Sequence, residues 1–189
     1  MSYLGLVLII SFFWLASEIV LAVLKRSKGG RANGKDRNTL QFLWIVIVLS
    51  ITAGVYLGVK GIGMVPAIRR IAPYIGIIMI IMGLAIRWVA ILTLRRLFTV
   101  NVAIAANHRI ISEGIYKYVR HPSYSGSLLS FLGLGVYFSN WLSAIVILLP
   151  IMAIFLIRIS VEEEALTAQF KKEYMDYCEK TSRLIPFIY

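Results

Sequence analysis

Two short stretches of this chain bring chemically capable residues together. In "YKYVRHPSYSG", residues 116–126, Arg120, His121, Pro122 and Tyr124 stand directly ahead of a long apolar run. Proline suits the first turn of a helix and holds the residue before it extended. The spacing therefore predicts a helix opening at Pro122, with free backbone N–H groups near Ser123 and Tyr124. Such a helix start attracts an anion such as a carboxylate; His121 adds a donor or acceptor and Tyr124 an aromatic face. The same residues also permit a plainer arrangement, in which His121 caps the helix and Arg120 reaches lipid headgroups. In the second stretch, "RISVEEE", Arg158 closes an apolar run and Glu162, Glu163 and Glu164 follow. Arg158 and Glu162, four apart, share a helical face and can pair. The three acids read either as a solvated helix start that complements the dipole, or as a carboxylate held beside the bilayer for a cationic group, with Arg158 positioned for an anion.

Two further charges, Glu18 and Arg87, fall inside apolar segments, where an unpaired charge is costly; each should face a partner or a wet cavity, and a structural partner is expected for Arg87. His108 and His121 lack the close pairing and carboxylate context of a zinc motif, so no metal is expected. No G-x-S-x-G is present and no hydroxyl sits beside an obvious base. The single cysteine, Cys178, can form neither an internal disulfide nor a two-cysteine metal site and reads as an ordinary thiol.

The elements that must position these residues are membrane helices. Of the 189 residues, 59% are hydrophobic and only 15% charged, a balance outside that of soluble domains. The net charge of +11 comes from short basic runs beside apolar segments, a pattern that suits helix orientation and anionic headgroups and argues against nucleic acid. Apolar runs at about 3–24, 40–59 and 73–94 each approach the roughly 20 residues needed to cross a bilayer core. A fourth, within 122–158, is too long for one span and reads as a helical hairpin turning near Ser139 and Asn140. The expected architecture is thus all-α: one domain over 1–189, a multi-pass bundle of about five membrane helices including the hairpin. No removable signal is read at the N-terminus. The Gly-rich "KGGRANGK" at 28–35 reads as a flexible loop.

Sixteen basic residues in 25–39, 95–124 and 158–189 face three in 60–72, which places the first group in the cytoplasm and the N-terminus outside. The polar connection 95–124 and the C-terminal segment 159–189 then share one face. Beyond Val161, Leu166, Phe170, Tyr174 and Tyr177 recur at helical spacing, so an amphipathic helix is expected there along the interface, ended by Pro186, with "LIPFIY" folding back on the bundle.

The run "HRIISEGIYKYVRHPSYSG" at 108–126, followed by the hairpin and by "RISVEEEAL…FKKEYMDYCEKTSRLIPF", resembles the isoprenylcysteine carboxyl methyltransferase family over roughly residues 76–189. That resemblance implies a multi-pass enzyme transferring a methyl group from S-adenosylmethionine to a lipid-borne acceptor. It implies cofactor contacts at His108, Arg109, Ile110, Ile111, Tyr116, His121, Pro122, Ser123, Tyr124 and Glu162. Arg158 matches the family's acceptor-side arginine, and the carboxylate pair matches Glu162 and Glu163; Arg158, Glu163 and Arg120 are the expected catalytic set. The acceptor expected is an isoprenylcysteine-like carboxylate drawn from the bilayer. Alternatives are a phospholipid amine, a lipophilic hydroxyl or enol, a sterol-reductase-like activity, and a non-catalytic membrane protein. A carboxylate acceptor is already ionised and needs no general base, whereas an amine, phenol or enol would call on His121 or a tyrosine.

Overall fold

The computed structural model describes Trp14 and residues 34–94, 110–186 and 188–189. The expected first helix with Glu18, and the residues 95–109 that include His108 and Arg109, lie outside the described residues. Helix α1 spans Gly34–Lys60, α2 Ala72–Leu94, α3 Pro122–Tyr137, α4 Trp141–Phe170 and α5 Lys172–Lys180. Single 3-10 turns at Pro66–Ile68 and Gly114–Lys117 lie in the connections.

Among the described residues three helices are long and apolar enough to cross a membrane, at 39–60, 72–94 and 141–170. Their side chains are distributed accordingly, with large apolar residues such as Phe42, Leu49, Val59, Ile78 and Leu92 exposed on the outside. This is an integral membrane protein. Helix α3 has 16 residues, about 24 Å, and falls short of a full span; it is the short arm of the expected hairpin. The hairpin turns where the sequence places it. Ser139 takes a positive φ of 53°, and Asn140 caps α4 by accepting from the Ser143 N–H at 2.9 Å. The Asn140 amide donates to the carbonyls of Leu57 and Ile62, which fastens the α1–α2 loop to the hairpin turn.

Lipid gives apolar helices no reason to prefer one another, so their association depends on close packing. The tightest seam joins α2 to α3 through paired glycines. A Cβ at Gly83 would lie 2.4 Å from the Gly126 carbonyl oxygen, and one at Gly76 would lie 2.6 Å from that of Gly133. Ile77, Ile80, Phe131, Leu134, Ile147, Ile151, Ile154 and Phe155 form the core behind this seam, and Trp14 packs against Phe131 with the rings tilted by 41° and their centroids 4.7 Å apart.

The C-terminal part departs from expectation. The last spanning helix does not end near 158 but continues unbroken to Phe170, and no separate amphipathic helix starts at Val161. Lys171, at φ 47° and ψ −117°, breaks the chain direction, so the apolar spacing 166, 170, 174, 177 is divided between α4 and α5. α5 stops at Lys180, where Thr181 becomes extended, six residues before Pro186. The following residues do fold back. Ser182 bridges Val119 in parallel, Leu184 is buried, and its carbonyl accepts from Ser125 Oγ at 2.6 Å.

Candidate functional site

Antiparallel packing puts the start of α3, the end of α2 and the later turns of α4 at one end of the bundle. There the "RHPSY" turn meets "RISVEEE". His121 is the N-cap of α3, but its side chain makes no capping bond. It is buried between the two glutamates, Nε2 3.3 Å from Glu163 Oε1 and Nδ1 3.7 Å from Glu162 Oε2. Arg120 does not reach outward to headgroups. Its Nε pairs with Glu163 Oε1 at 3.0 Å, and Nη1 donates to the carbonyls of Cys178 and Thr181.

The two adjacent glutamates have different surroundings. Glu163, 8% exposed, is saturated: Arg120 and His121 approach Oε1, and Arg183 Nη2 holds Oε2 at 2.8 Å. Glu162 is more open. Its Oε1 accepts the Tyr124 hydroxyl at 2.5 Å and faces Arg158 Nε at 3.7 Å. Its Oε2 has His121 Nδ1 at 3.7 Å, longer than a hydrogen bond. Arg158 is the expected i,i+4 partner of Glu162 and is 1% exposed; it also donates to Thr39 Oγ1 on α1 at 3.2 Å.

The predicted anion site at the helix start is narrower than expected. Pro122 is buried and has no N–H, and the N–H groups of Tyr124 and Ser125 both donate to the His121 carbonyl, at 3.0 and 3.2 Å. Only the Ser123 N–H is left unused by the turn. The positive end is reinforced instead by Arg87, whose Nη1 donates to Ser123 Oγ at 2.8 Å and Ser127 Oγ at 3.0 Å. The structural partner expected for that intramembrane arginine is therefore the first turn of α3.

Of the other anticipated residues, Ile110 and Ile111 are half-buried on the approach to the turn. Tyr116 is buried, with its hydroxyl 3.4 Å from the Ala90 carbonyl, and its own carbonyl accepts from Tyr177 at 2.7 Å. Burial pushes the Tyr116 phenol well above its usual range; Tyr177 and Glu162 add to this and Arg87 opposes it, so the group stays neutral. The structure thus joins Arg120, His121, Tyr124, Arg158, Glu162 and Glu163 into one network. Sequence reasoning missed Thr39 and Arg183. Their contacts span 119 and 20 positions, and no local spacing announces them.

This arrangement offers a half-open carboxylate for a cation and, with Arg120 and Arg183 engaged by Glu163, two further arginines, Arg87 and Arg158, toward an anion, at one end of an apolar bundle. Comparison with known proteins bears on that chemistry. The model of the isoprenylcysteine carboxyl methyltransferase (ICMT) family matches residues 76–168. The chain is 37% identical to the probable protein-S-isoprenylcysteine O-methyltransferase of Oryza sativa subsp. japonica over 117 residues, 61% of each chain. It is 36% identical to protein-S-isoprenylcysteine O-methyltransferase B of Arabidopsis thaliana over 115 residues, 60% of this chain and 58% of that one. The Saccharomyces cerevisiae protein-S-isoprenylcysteine O-methyltransferase is 31% identical over 121 residues, 63% and 51% of the two chains. The matches thus span about half to three-fifths of these curated relatives. The solved eukaryotic intramembrane Ras methyltransferase ICMT has a similar fold. Its TM-score is 0.65 at 28% identity, over 77% of this chain and 52% of that chain.

Proposed function

With residues 76–168 matching the isoprenylcysteine carboxyl methyltransferase family, we propose that this chain is an integral membrane methyltransferase. It moves a methyl group from S-adenosylmethionine to a lipophilic acceptor, the carboxylate of an isoprenylcysteine-like group. The observation that carries the reading is Glu162, a carboxylate whose Oε1 accepts the Tyr124 hydroxyl while its Oε2, with His121 Nδ1 at 3.7 Å, takes part in no hydrogen bond among the described residues.

The residues present fit the cofactor. Glu162 Oε2 takes its ammonium, and the Ser123 N–H, backed by Arg87, takes its carboxylate. Tyr124 and Tyr116 supply aromatic faces. His108 to Ile111 belong to the same proposed set. When bound, S-adenosylmethionine supplies an electrophilic methyl carried on a sulfonium. Arg158, buried and already oriented by Thr39 and Glu162, fixes the acceptor's carboxylate for in-line attack. Burial at the end of an apolar bundle strips water from that nucleophile. Arg120 and Glu163, paired to each other, hold the turn in shape rather than touch the ligands.

The state of His121 favours a carboxylate acceptor over an amine or enol. Both ring nitrogens face glutamates, so the imidazole is not placed to remove a proton from an acceptor, and an ionised carboxylate requires no such step. The excess of basic residues at this end supports a site on the cytoplasmic side, with a prenylated acceptor arriving from the bilayer.

The test is calorimetric binding of S-adenosylhomocysteine to detergent-purified protein, followed by methyl transfer to a farnesylated cysteine and to phosphatidylethanolamine. Saturable binding, weakened roughly tenfold or more by Glu162→Gln, and methylation of the farnesylated cysteine alone are expected. A well-folded protein that binds no S-adenosylhomocysteine would end the reading; methylation of the amine would move it to the phospholipid class.

A further inference from the structure

The tail beyond α5 lies outside the matched segment 76–168, yet it holds the proposed site at two points. The Arg183 carbonyl accepts the His121 N–H at 3.0 Å, and the Arg183 guanidinium grips Glu163 Oε2 at 2.8 Å. Glu163 in turn faces the His121 imidazole at 3.3 Å. A single tail residue therefore fixes both the main chain and, through a carboxylate, the ring of the histidine whose other nitrogen faces Glu162.

Pinning a tail does not require a charge here. Leu184 is already buried, Ser125 Oγ already holds the Leu184 carbonyl, and the Arg120 and Ser182 N–H groups already close a bridge, donating to the Ser182 and Tyr118 carbonyls at 2.8 and 3.0 Å. Arg183 brings a further cation to a carboxylate that Arg120 and His121 already face, against like-charge repulsion and partial desolvation. Its guanidinium is also braced, Nη1 donating to the Tyr189 hydroxyl at 3.0 Å with the ring 5.7 Å from Cζ. What this charge adds is occupancy of the last open oxygen of Glu163. With that oxygen filled, Glu163 competes neither for the ligand's ammonium nor for a different orientation of His121, and Glu162 is the one available carboxylate of the pair.

We infer that Arg183 is a positioning residue for the cofactor site, acting through Glu163 and His121 to reserve Glu162 for the cofactor's ammonium group. The inference rests on the methyltransferase reading for its ligand, but its structural half does not. The experiment compares wild type, Arg183→Met, Arg183→Lys, Glu163→Gln and the double variant Arg183→Met with Glu163→Gln. Two readouts are used: hydrogen exchange of the 118–125 and 181–186 segments without ligand, and affinity for S-adenosylhomocysteine.

Arg183→Met should speed exchange in both segments and weaken affinity about tenfold at a nearly unchanged melting midpoint. Arg183→Lys should recover affinity to within about threefold, because one ammonium still reaches Oε2. Adding Glu163→Gln to Arg183→Met should cost little more than either change alone, since both act through one carboxylate. Unchanged exchange in Arg183→Met would overturn the latch whatever the protein binds. Faster exchange with unchanged affinity would overturn the positioning role, as would strictly additive variants or a lysine no better than methionine. Faster exchange in a protein whose wild type binds no S-adenosylhomocysteine would instead sink the methyltransferase reading, and the positioning role with it.

Discussion

Gly126→Ala joins the packing of this bundle to its chemistry in one measurement. A Cβ at Gly126 would stand 2.5 Å from the Gly83 carbonyl oxygen and 2.7 Å from the Arg87 nitrogen, both backbone atoms that no rotamer can withdraw. Ordinary contact begins at 3.4 Å, so α2 and α3 must separate by about 0.9 Å at this level. The Arg87–Ser123 hydrogen bond, 2.8 Å in the native packing, would then stretch beyond hydrogen-bond length. Overpacking costs about 1–3 kcal/mol and a hydrogen bond to a charged group about 1.5–3 kcal/mol. A total of about 4 kcal/mol corresponds to a melting midpoint lower by roughly 10 °C in detergent. Because the displaced segment is the first turn of α3, affinity for S-adenosylhomocysteine should fall with it. Gly61→Ala is the control: nothing lies within 4 Å of that Cβ, and only its φ of 70° opposes the change, at the far end of the bundle. It should lower the midpoint by a few degrees and leave affinity alone. A Gly126→Ala protein with a native midpoint would refute the backbone contact. A lowered midpoint with native affinity would refute the coupling between seam and site.

Three other outcomes follow from the contacts described. Arg158→Lys removes the planar fork that reaches Glu162 and Thr39, and methyl transfer should drop on the order of a hundredfold while S-adenosylhomocysteine affinity changes little; equal losses in both would remove Arg158 from the acceptor side. Asn140→Ala deprives the Leu57 and Ile62 carbonyls of their donor and α4 of its cap, so it should destabilise by about 2 kcal/mol with native ligand affinity, measured by thermal unfolding and calorimetry. Burial pushes the Cys178 thiol above its usual pKa, with Arg120 opposing, so less thiolate is present near pH 8. Iodoacetamide should alkylate it more slowly than free cysteine, gaining rate only as pH rises further, and an equal or faster rate would contradict the burial.

The spans at 40–59 and 73–94 and the hairpin turn were legible because hydropathy and the polar break at Ser139 and Asn140 are local signals. So was the Arg158–Glu162 pair, set by one helical turn. The separate surroundings of Glu162 and Glu163 were not. Consecutive helical residues point about 100° apart, and assigning each a direction requires knowing that α4 runs through them without a break. The apolar spacing from Leu166 to Tyr177 was equally uninformative at Lys171, because periodicity registers side-chain faces and is blind to a positive φ that redirects the backbone. The guanidinium groups of Arg87 and Arg183 found partners 36 and 20 positions away, distances at which no pairwise pattern survives in a single sequence.

The 30-residue length of α4 has a consequence for where the reaction can occur. Arg158 lies 17 residues beyond Trp141 and Glu162 lies 21 beyond it, about 26 and 32 Å along the axis. A hydrocarbon core is about 30 Å thick. With Trp141 anchored at one boundary, Arg158 falls just inside the opposite boundary and Glu162 just outside it. On the proposed function, the helix is a ruler that sets the depth at which a water-borne donor and a lipid-borne acceptor would meet. The thickness of the host bilayer then becomes a determinant of turnover, with a maximum where acyl length matches that ruler.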